Sequence, residues 1–202
     1  MYIIILIIIQ FINFFTQAEG APKQSVMHVA RSAYKKAKEE GITSSPIVTV
    51  IDYEISSNKP RMWIIDIENN QVLEKIHVAH GRGSGNVYSN SFSNEHGSHK
   101  SSIGVFVAGQ PYIGKHGRSI RLKGLEDGFN DNAYDRSIVI HKANYVHDNC
   151  PVDQIRCNGR SHGCPAVSPE SMKILSSFLK PGNLVIAYYP DTEWLNHSEF
   201  ID

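Results

Sequence analysis

Two stretches decide how this chain is interpreted: Arg160-Ser161-His162-Gly163-Cys164-Pro165, and upstream of it Ser137-Ile138-Val139-Ile140-His141. The second stretch is rich in β-branched residues, which predicts a buried strand that ends on His141. The first places Cys164 directly behind a glycine. A thiol and an imidazole on neighbouring edges of a fold are the minimum parts of a thiolate nucleophile with its general base. We therefore predict that Cys164 is the nucleophile and His141 the base.

The backbone around Cys164 suits this chemistry. Gly163 has no Cβ, so the chain there can approach a substrate closely. We expect the N–H groups of Gly163 and Cys164 to face a developing oxyanion. A free cysteine has a pKa near 8.5, and a nearby imidazolium or converging N–H groups would lower it.

Other interpretations of the same residues stay open. A cysteine after glycine and a histidine at a strand end both occur in purely structural roles. A zinc site is a further alternative, because six residues of the types that bind zinc lie near one another in the chain: His141, His147, Cys150, Cys157, His162 and Cys164. Structural zinc sites usually contain tighter pairs than Cys150 and Cys157 form. We therefore favour the catalytic pair and expect neither a metal nor an organic cofactor.

Composition limits the classes of protein to consider. The 202 residues are 41% hydrophobic and 20% charged, which is enough apolar content for one domain with a core. Lys+Arg and Asp+Glu both number 20, so the formal net charge is zero. No basic field is available to hold a polyanion, which argues against nucleic acid as a partner.

The N-terminal segment predicts export. Residues 2–15 are apolar except Gln10 and Asn13, and as a helix they would span roughly 21 Å, short of the ~30 Å hydrocarbon core. Small residues follow, so we interpret residues 1–18 as a signal peptide cleaved after Ala18. A retained membrane anchor is the alternative, since the segment contains no Lys or Arg. Residues 19–45 form an N-terminal helical segment and residues 46–202 the main domain.

Export changes how the three cysteines are interpreted. In an oxidising compartment an odd number leaves one thiol unpaired. Cys150 and Cys157 flank a short loop, and a disulfide between them would leave Cys164 free. The pairings 157–164 and 150–164 also remain possible, and either would abolish the proposed chemistry.

The remaining patterns predict a mostly β domain, a sandwich or barrel with a few peripheral helices. Helical spacing indicates a helix over Lys23–Gly41, and Ser168-Pro169 is a good start for another. Residues 81–102 form a long polar loop, typical of a functional rim. The predicted strands are Ile47–Tyr53, Met62–Ile67, Val72–Ala79, Ile103–Ala108, Ser119–Lys123, Ser137–His141 and Asn183–Tyr189.

Ser161-His162-Gly163-Cys164, with His141 upstream, resembles the motif of the L,D-transpeptidase catalytic domain, often called the YkuD fold. His77-Val78-Ala79-His80-Gly81 and Ser102-Ile103-Gly104-Val105-Phe106 resemble two further segments of that family. The resemblance covers about Met62 to Tyr189. The continuation Cys-Pro-Ala-Val resembles a divergent murein L,D-transpeptidase branch.

The resemblance implies a cell-wall enzyme in the periplasm or cell envelope. Cys164 would cleave the bond before the terminal D-Ala of a peptidoglycan stem peptide and form a thioester. A second stem would then form a 3–3 crosslink, or water would complete an L,D-carboxypeptidase reaction. Ser161 and His162 would shape the site. The stem peptides are the expected partners, with no membrane partner after signal cleavage; the sequence gives no oligomeric state.

One departure from the family pattern bears on substrate binding. The family usually has an arginine two places after the cysteine, where this chain has Ala166. We expect another arginine to take over substrate binding, and the candidates are Arg118, Arg121, Arg136 and Arg160. A non-catalytic peptidoglycan-binding module of the same fold is the alternative that this departure motivates.

Overall fold

The computed structural model describes residues 20–147 and 160–201. Within these ranges no helix is both long and apolar enough to span a membrane. The helices are α1 (Gln24–Glu39), α2 (Pro169–Phe178) and α3 (Thr192–His197), with a short 3-10 turn at Asp131–Ala133. The strands are β1 (Ile47–Asp52), β2 (Met62–Asp66), β3 (Gln71–Ile76), β4 (Gly104–Gly114), β5 (Gly117–Gly124), β6 (Val139–Lys142), β7 (Ala166–Val167) and β8 (Leu184–Tyr188).

All eight of these strands join one sheet in the order β3-β2-β1-β8-β4-β5-β6-β7. The chain after β3 then pairs with the opposite end of the sheet, because Ala79 N–H donates to Ala166 O at 2.8 Å. The two ends of the strand order therefore meet, and the sheet curls into a barrel-like form. The mostly β fold with peripheral helices predicted from sequence is confirmed.

The sheet separates two apolar cores, because side chains alternate between its faces. Val48 and Val50 of β1 pack in one core with α1, whereas Ile51 packs in the other. α1 contributes residues such as Val26 and Ala30 at helical spacing. Each large apolar side chain buried in this way stabilises the fold by roughly 1.5–3 kcal/mol.

α2 limits the movement of the chain that follows Cys164. Ser168 caps the helix, its Oγ accepting a hydrogen bond from Ser171 N–H at 3.0 Å, and Pro169 occupies the first turn. This helix start agrees with the prediction from sequence. Met172 and Leu175 pack in the core, so the segment between Cys164 and α2 is held at both ends.

Several elements differ from the sequence prediction. β6 begins at Val139 rather than Ser137, because Ser137 has a φ of 58°, outside the strand region. β7 has two residues and α3 has six, and both are too short to give a periodic signal. β4 and β5 extend beyond the predicted strands into a hairpin with a turn at Lys115-His116.

Candidate active site

Parallel strands β6 and β7 bring the predicted nucleophile and base together. His141 of β6 lies opposite Ala166 of β7, and its N–H approaches Pro165 O at 3.3 Å. Cys164 immediately precedes Pro165, so the thiol and the imidazole project from neighbouring backbone segments. Cys164 is half-buried and carries a free thiol.

The loop that carries Cys164 is held in one shape by Ser161 and Gly163. Ser161 Oγ donates to Cys164 O at 2.5 Å and accepts from Gly163 N–H at 3.1 Å. Gly163 has a φ of 120°, and a Cβ there would lie 2.9 Å from Lys100 O, so only glycine fits without strain. These contacts give Ser161 a shaping role.

The oxyanion donors differ from the expected pair. Gly163 N–H is already bonded to Ser161 Oγ. Cys164 N–H has no acceptor among residues 20–147 and 160–201. In this arrangement Cys164 N–H is the member of the pair that remains available to a developing oxyanion.

Ser101 links the Cys164 loop to the long loop over residues 81–102 through hydrogen bonds. The sequence analysis did not identify this residue. Its Oγ donates to Gly163 O at 3.1 Å and accepts from Gly81 N–H at 2.9 Å. It also hydrogen-bonds to the Tyr53 side chain, which lies in the core beneath the site. Ser101 is only 1% exposed, so these bonds are made away from water. One serine among many in a polar loop gives no sequence signal for this role.

The environment of the thiol keeps it protonated at rest. Burial raises the pKa of Cys164. A backbone hydrogen bond from Val139 and the positive charges of Arg136 and Lys115 act in the opposite direction but are smaller effects. The sulfur also approaches Ser137 O at 3.7 Å as a donor. A neutral thiol needs a base at the moment of attack.

His141 has the properties that the predicted base requires. It is 4% exposed, and burial lowers its pKa, with the charges of His116 and Lys115 adding to the effect and the Lys142 backbone opposing it. Its Nδ1 lies 2.9 Å from Lys142 O, so Nδ1 carries the proton of the neutral ring. Nε2 is then the basic nitrogen, and no protein group within the described residues binds it.

His162 lies on the outside of the loop. Its side chain is exposed, and its ring meets that of His99 edge-on with centroids 4.6 Å apart. This contact places His162 against the long loop. Its shaping role from the sequence analysis stays a prediction.

Two of the four candidate arginines lie next to the Cys164 loop. The Arg136 guanidinium donates to Ser93 O, Ser102 Oγ, Ser98 Oγ and Lys100 O at 2.5–3.2 Å. Four bonds to the long loop leave it little capacity to bind a substrate, although its charge still acts on the thiol. Arg160 is exposed and donates to Gly85 O at 3.1 Å and Asn86 Oδ1 at 2.8 Å.

The other two arginines lie on β5. Arg121 sits over the rings of Tyr112 and Tyr134, at 4.7 Å and 5.3 Å from their centroids. Arg118 is exposed opposite Ile113 in the β4–β5 pairing. Substrate binding by either residue stays a prediction.

A buried Arg61–His80 cluster next to the site was not anticipated. Arg61 is 0% exposed, and its guanidinium donates to Val78 O, Ile55 O and Nδ1 of His80 at 2.8–3.1 Å. The backbone carbonyl of His80 accepts from Ser161 N–H at 2.9 Å. This cluster therefore supports the first residue of the Ser161–Cys164 motif. A lone arginine between a proline and a strand gave no indication of burial.

Two predictions fall outside the described residues: the disulfide between Cys150 and Cys157, and the signal peptide over residues 1–18. Cys150 and Cys157 also belong to the alternative zinc set. Among the residues that the structure describes, no three His, Cys, Asp or Glu side chains are grouped so as to hold a metal ion.

Comparison with solved structures finds several L,D-transpeptidases. A Mycobacterium smegmatis L,D-transpeptidase is 13% identical with a TM-score of 0.43; the match covers 72% of this chain and 59% of that one. An L,D-transpeptidase from Xylanimonas cellulosilytica is 19% identical with a TM-score of 0.42, and the match covers 82% of this chain and 79% of that one. An L,D-transpeptidase from Mycobacterium tuberculosis H37Rv is 14% identical with a TM-score of 0.44, and the match covers 71% of this chain and 57% of that one. This chain thus spans less than two thirds of the first and third of these proteins.

No curated protein matches the sequence significantly. A family model described as the L,D-transpeptidase catalytic domain matches residues 18–188, which is most of the chain. The chain therefore belongs to the L,D-transpeptidase catalytic-domain family.

Proposed function

We propose that the protein is a cysteine-dependent L,D-transpeptidase that acts on peptidoglycan stem peptides through a Cys164 thioester. The observation that carries the proposal is the pairing of β6 with β7, which brings the backbone of His141 next to the segment that follows Cys164, a free cysteine. The bond from Nδ1 of His141 to Lys142 O supports its role as a base, because it leaves Nε2 as the basic nitrogen. Family membership supports the transpeptidase class.

Each step of the proposed reaction uses groups described above. Nε2 of His141 takes the thiol proton as Cys164 Sγ attacks the carbonyl carbon before the terminal D-Ala. Cys164 N–H donates to the oxyanion that forms. The C–N bond then breaks, His141 returns its proton to the D-Ala amine, and the thioester remains. An amine of a second stem attacks the thioester, losing a proton to His141, which reprotonates the leaving thiolate.

Water in place of that amine would release the shortened stem, which is an L,D-carboxypeptidase reaction. Membership of the L,D-transpeptidase catalytic-domain family supports transfer to an amine. We propose transfer as the main reaction and hydrolysis as a side activity.

We also propose that Arg160 binds a carboxylate of the stem peptide. Arg160 and Arg82 line a surface pocket together with Asn86, Tyr88 and Asn90, and the described lining contains no acidic side chain. Arg82 N–H donates to Ser161 O at 2.7 Å, so the pocket adjoins the Cys164 loop. Arginine suits carboxylate recognition because its planar fork can make two parallel hydrogen bonds.

Export to the periplasm or cell envelope is part of the same proposal, because peptidoglycan lies outside the cytoplasmic membrane. It rests on the apolar segment over residues 2–15. N-terminal sequencing of the protein from the envelope fraction tests it. A mature chain starting at Glu19 is the expected result, and an uncleaved chain in the cytoplasmic fraction would contradict it.

The decisive experiment is the intact mass of the protein after mixing with a tetrapeptide stem, beside Cys164→Ala. We expect an adduct equal to the stem minus D-Ala in the wild type and none in the variant, with D-Ala released only by the wild type. The proposal is wrong if the wild type shows neither adduct nor D-Ala while the Cys164 thiol still reacts with a maleimide. Sedimentation with peptidoglycan would then identify the non-catalytic binding module, and metal analysis would test the zinc-stabilised domain.

A further inference from the structure

The turn between β4 and β5 places a second imidazole against the proposed base. Gly114 pairs with Gly117, which leaves Lys115-His116 as a two-residue turn. The rings of His116 and His141 are stacked, with centroids 4.4 Å apart and planes inclined by 28°.

Neighbouring elements hold this turn in place. β5 pairs with β6 so that Ser119 lies opposite His141, which brings the turn just before β5 to the base. Gly117 has a φ of 74°, and a Cβ there would lie 2.5 Å from Lys142 Cε. The side chain of Lys142 therefore packs against the turn from β6. The ring contact between the two histidines thus follows from strand pairing and packing.

A base must present its nitrogen in one direction to be effective. The bond from Nδ1 of His141 to Lys142 O fixes one edge of the ring, but this bond does not by itself set the tilt of the ring plane. A second ring stacked on the face of His141 restricts that tilt.

We infer that His116 is a positioning residue that holds the imidazole plane of His141, so that Nε2 points at the Cys164 thiol. The inference rests on the proposed function of His141 and Cys164 as base and nucleophile. His116 itself touches neither the thiol nor the reacting atoms in this role.

The stack also affects the charge of the base. The charges of His116 and Lys115 act on His141 from the turn, and the side chain of Lys142 reaches the same turn from β6. Cys164 precedes the segment that pairs with β6. Arg136 and Tyr145 interact electrostatically with the thiol. A second positive charge on stacked rings is unfavourable, so His116 helps to keep His141 neutral and able to accept a proton.

Two substitutions separate the stacking from the charge. His116→Phe keeps a flat ring but cannot be charged, whereas His116→Ala removes both. We expect His116→Ala to lower kcat for D-Ala release about tenfold or more with little change in KM, because a misplaced base acts on the chemical step. His116→Phe should recover most of kcat. In both variants the acidic limb of the pH profile should move to higher pH, since His141 loses a neighbouring charge.

Two control variants complete the experiment. Lys115→Ala removes a charge from the same turn without removing the ring, so it should shift the pH limbs of both His141 and Cys164 and lower kcat at the plateau much less than His116→Ala does. His96→Ala removes an exposed imidazole from the long loop and should change neither. A His116→Phe variant as slow as His116→Ala would overturn the inference, as would an unchanged kcat in His116→Ala.

A substrate-independent readout keeps this test separate from the proposed function. The titration and tautomer of His141 can be followed by nitrogen-15 NMR of the resting protein. We expect the Nδ1-protonated tautomer in the wild type and in His116→Phe, and a mixture of tautomers in His116→Ala. If the wild type fails to turn over the stem, the proposed function fails, but a mixed tautomer in His116→Ala still supports the positioning role. An unchanged tautomer in that variant contradicts it.

Discussion

His80 and His141 are both buried histidines beside the Cys164 loop, yet their surroundings differ. The carbonyl of His80 accepts from Ser161 N–H, and the N–H of His141 approaches Pro165 O. Nδ1 of His80 accepts from Arg61 Nη2 at 2.8 Å, and its Nε2 faces Gly85 O at 3.4 Å. His141 has only Nδ1 bound to the protein within the described residues.

The difference separates an imidazole whose nitrogens are both occupied from one that can still accept a proton, as our proposal requires of His141. Burial, followed by the charge of Arg61, lowers the pKa of His80 to about 4, and both of its nitrogens are occupied. His80 therefore stays neutral near pH 7 and supports Arg61. Burial also lowers the pKa of His141, but only its Nδ1 is bound to the protein within the described residues. The number of satisfied nitrogens, rather than residue type or burial, distinguishes the two.

The largest expected effect is on catalysis at His141. His141→Gln should lower kcat/KM for D-Ala release by about 10²–10⁴-fold, the usual contribution of a general base. Its urea unfolding midpoint should stay close to that of the wild type. Conversely, His80→Gln should keep most of the activity per folded molecule. If His80→Gln lost as much activity as His141→Gln, the distinction between the two histidines would fail.

A substitution at Arg61 tests whether the Arg61–His80 contact supports the fold. Arg61→Ala leaves Val78 O and Ile55 O without their donor and opens a cavity, so we expect a loss of about 3 kcal/mol or more in the free energy of unfolding. Urea unfolding followed by tryptophan fluorescence measures it. Arg121→Ala is the matched control, because Arg121 lies on the surface over two tyrosines, and it should cost less than about 1 kcal/mol. Equal losses would show that the buried arginine is not a structural support.

The dependence of stability on pH tests whether His80 is neutral in the folded protein. Its folded pKa of about 4 lies below the ordinary value of 6.5, so the unfolded chain binds more protons between these values. Stability is therefore fully present above about pH 6.5 and falls as the pH drops toward 4, by at most roughly 3 kcal/mol from this residue.

The difference between the wild type and His80→Gln isolates that contribution from other titrating groups. The buried carboxyl of Glu126, whose pKa is raised by burial, acts in the opposite direction. Urea unfolding at several pH values between 4 and 7 should give a steeper decline for the wild type than for the variant. Parallel declines would contradict the assignment of a depressed pKa to His80.

The smallest expected effect concerns the attachment of the Cys164 loop. Ser101→Ala leaves Gly163 O and Gly81 N–H without their partner in a buried place, which should cost about 1–3 kcal/mol of stability and also lower kcat. Ser168→Ala is a matched control that removes the cap of α2, at a cost of about 1 kcal/mol, without changing kcat. A Ser101 variant with normal kcat would show that the loop keeps its shape without this anchor.

Local patterns account for the parts of the molecule that sequence could predict. β-branched runs indicated most strands, helical spacing indicated α1, and the Ser168-Pro169 pair indicated the start of α2. His141 and Cys164 were recognisable because a strand-end histidine and a Ser-His-Gly-Cys run are chemically unusual. The two-residue β7 and the six-residue α3 were not predicted, since neither is long enough for a period to emerge.

The sequence by itself determined most of the strands, the helix α1 and the capped start of α2, and it singled out Cys164 and His141 as candidates, because these features depend on residues that are close in the chain. Only the tertiary structure decided that Ala79 meets Ala166, that Arg61 is buried against His80, and that His116 stacks on His141. These contacts join segments far apart in the chain. Strand order and burial bring these segments together, and the spacing of residues within one segment cannot predict such contacts.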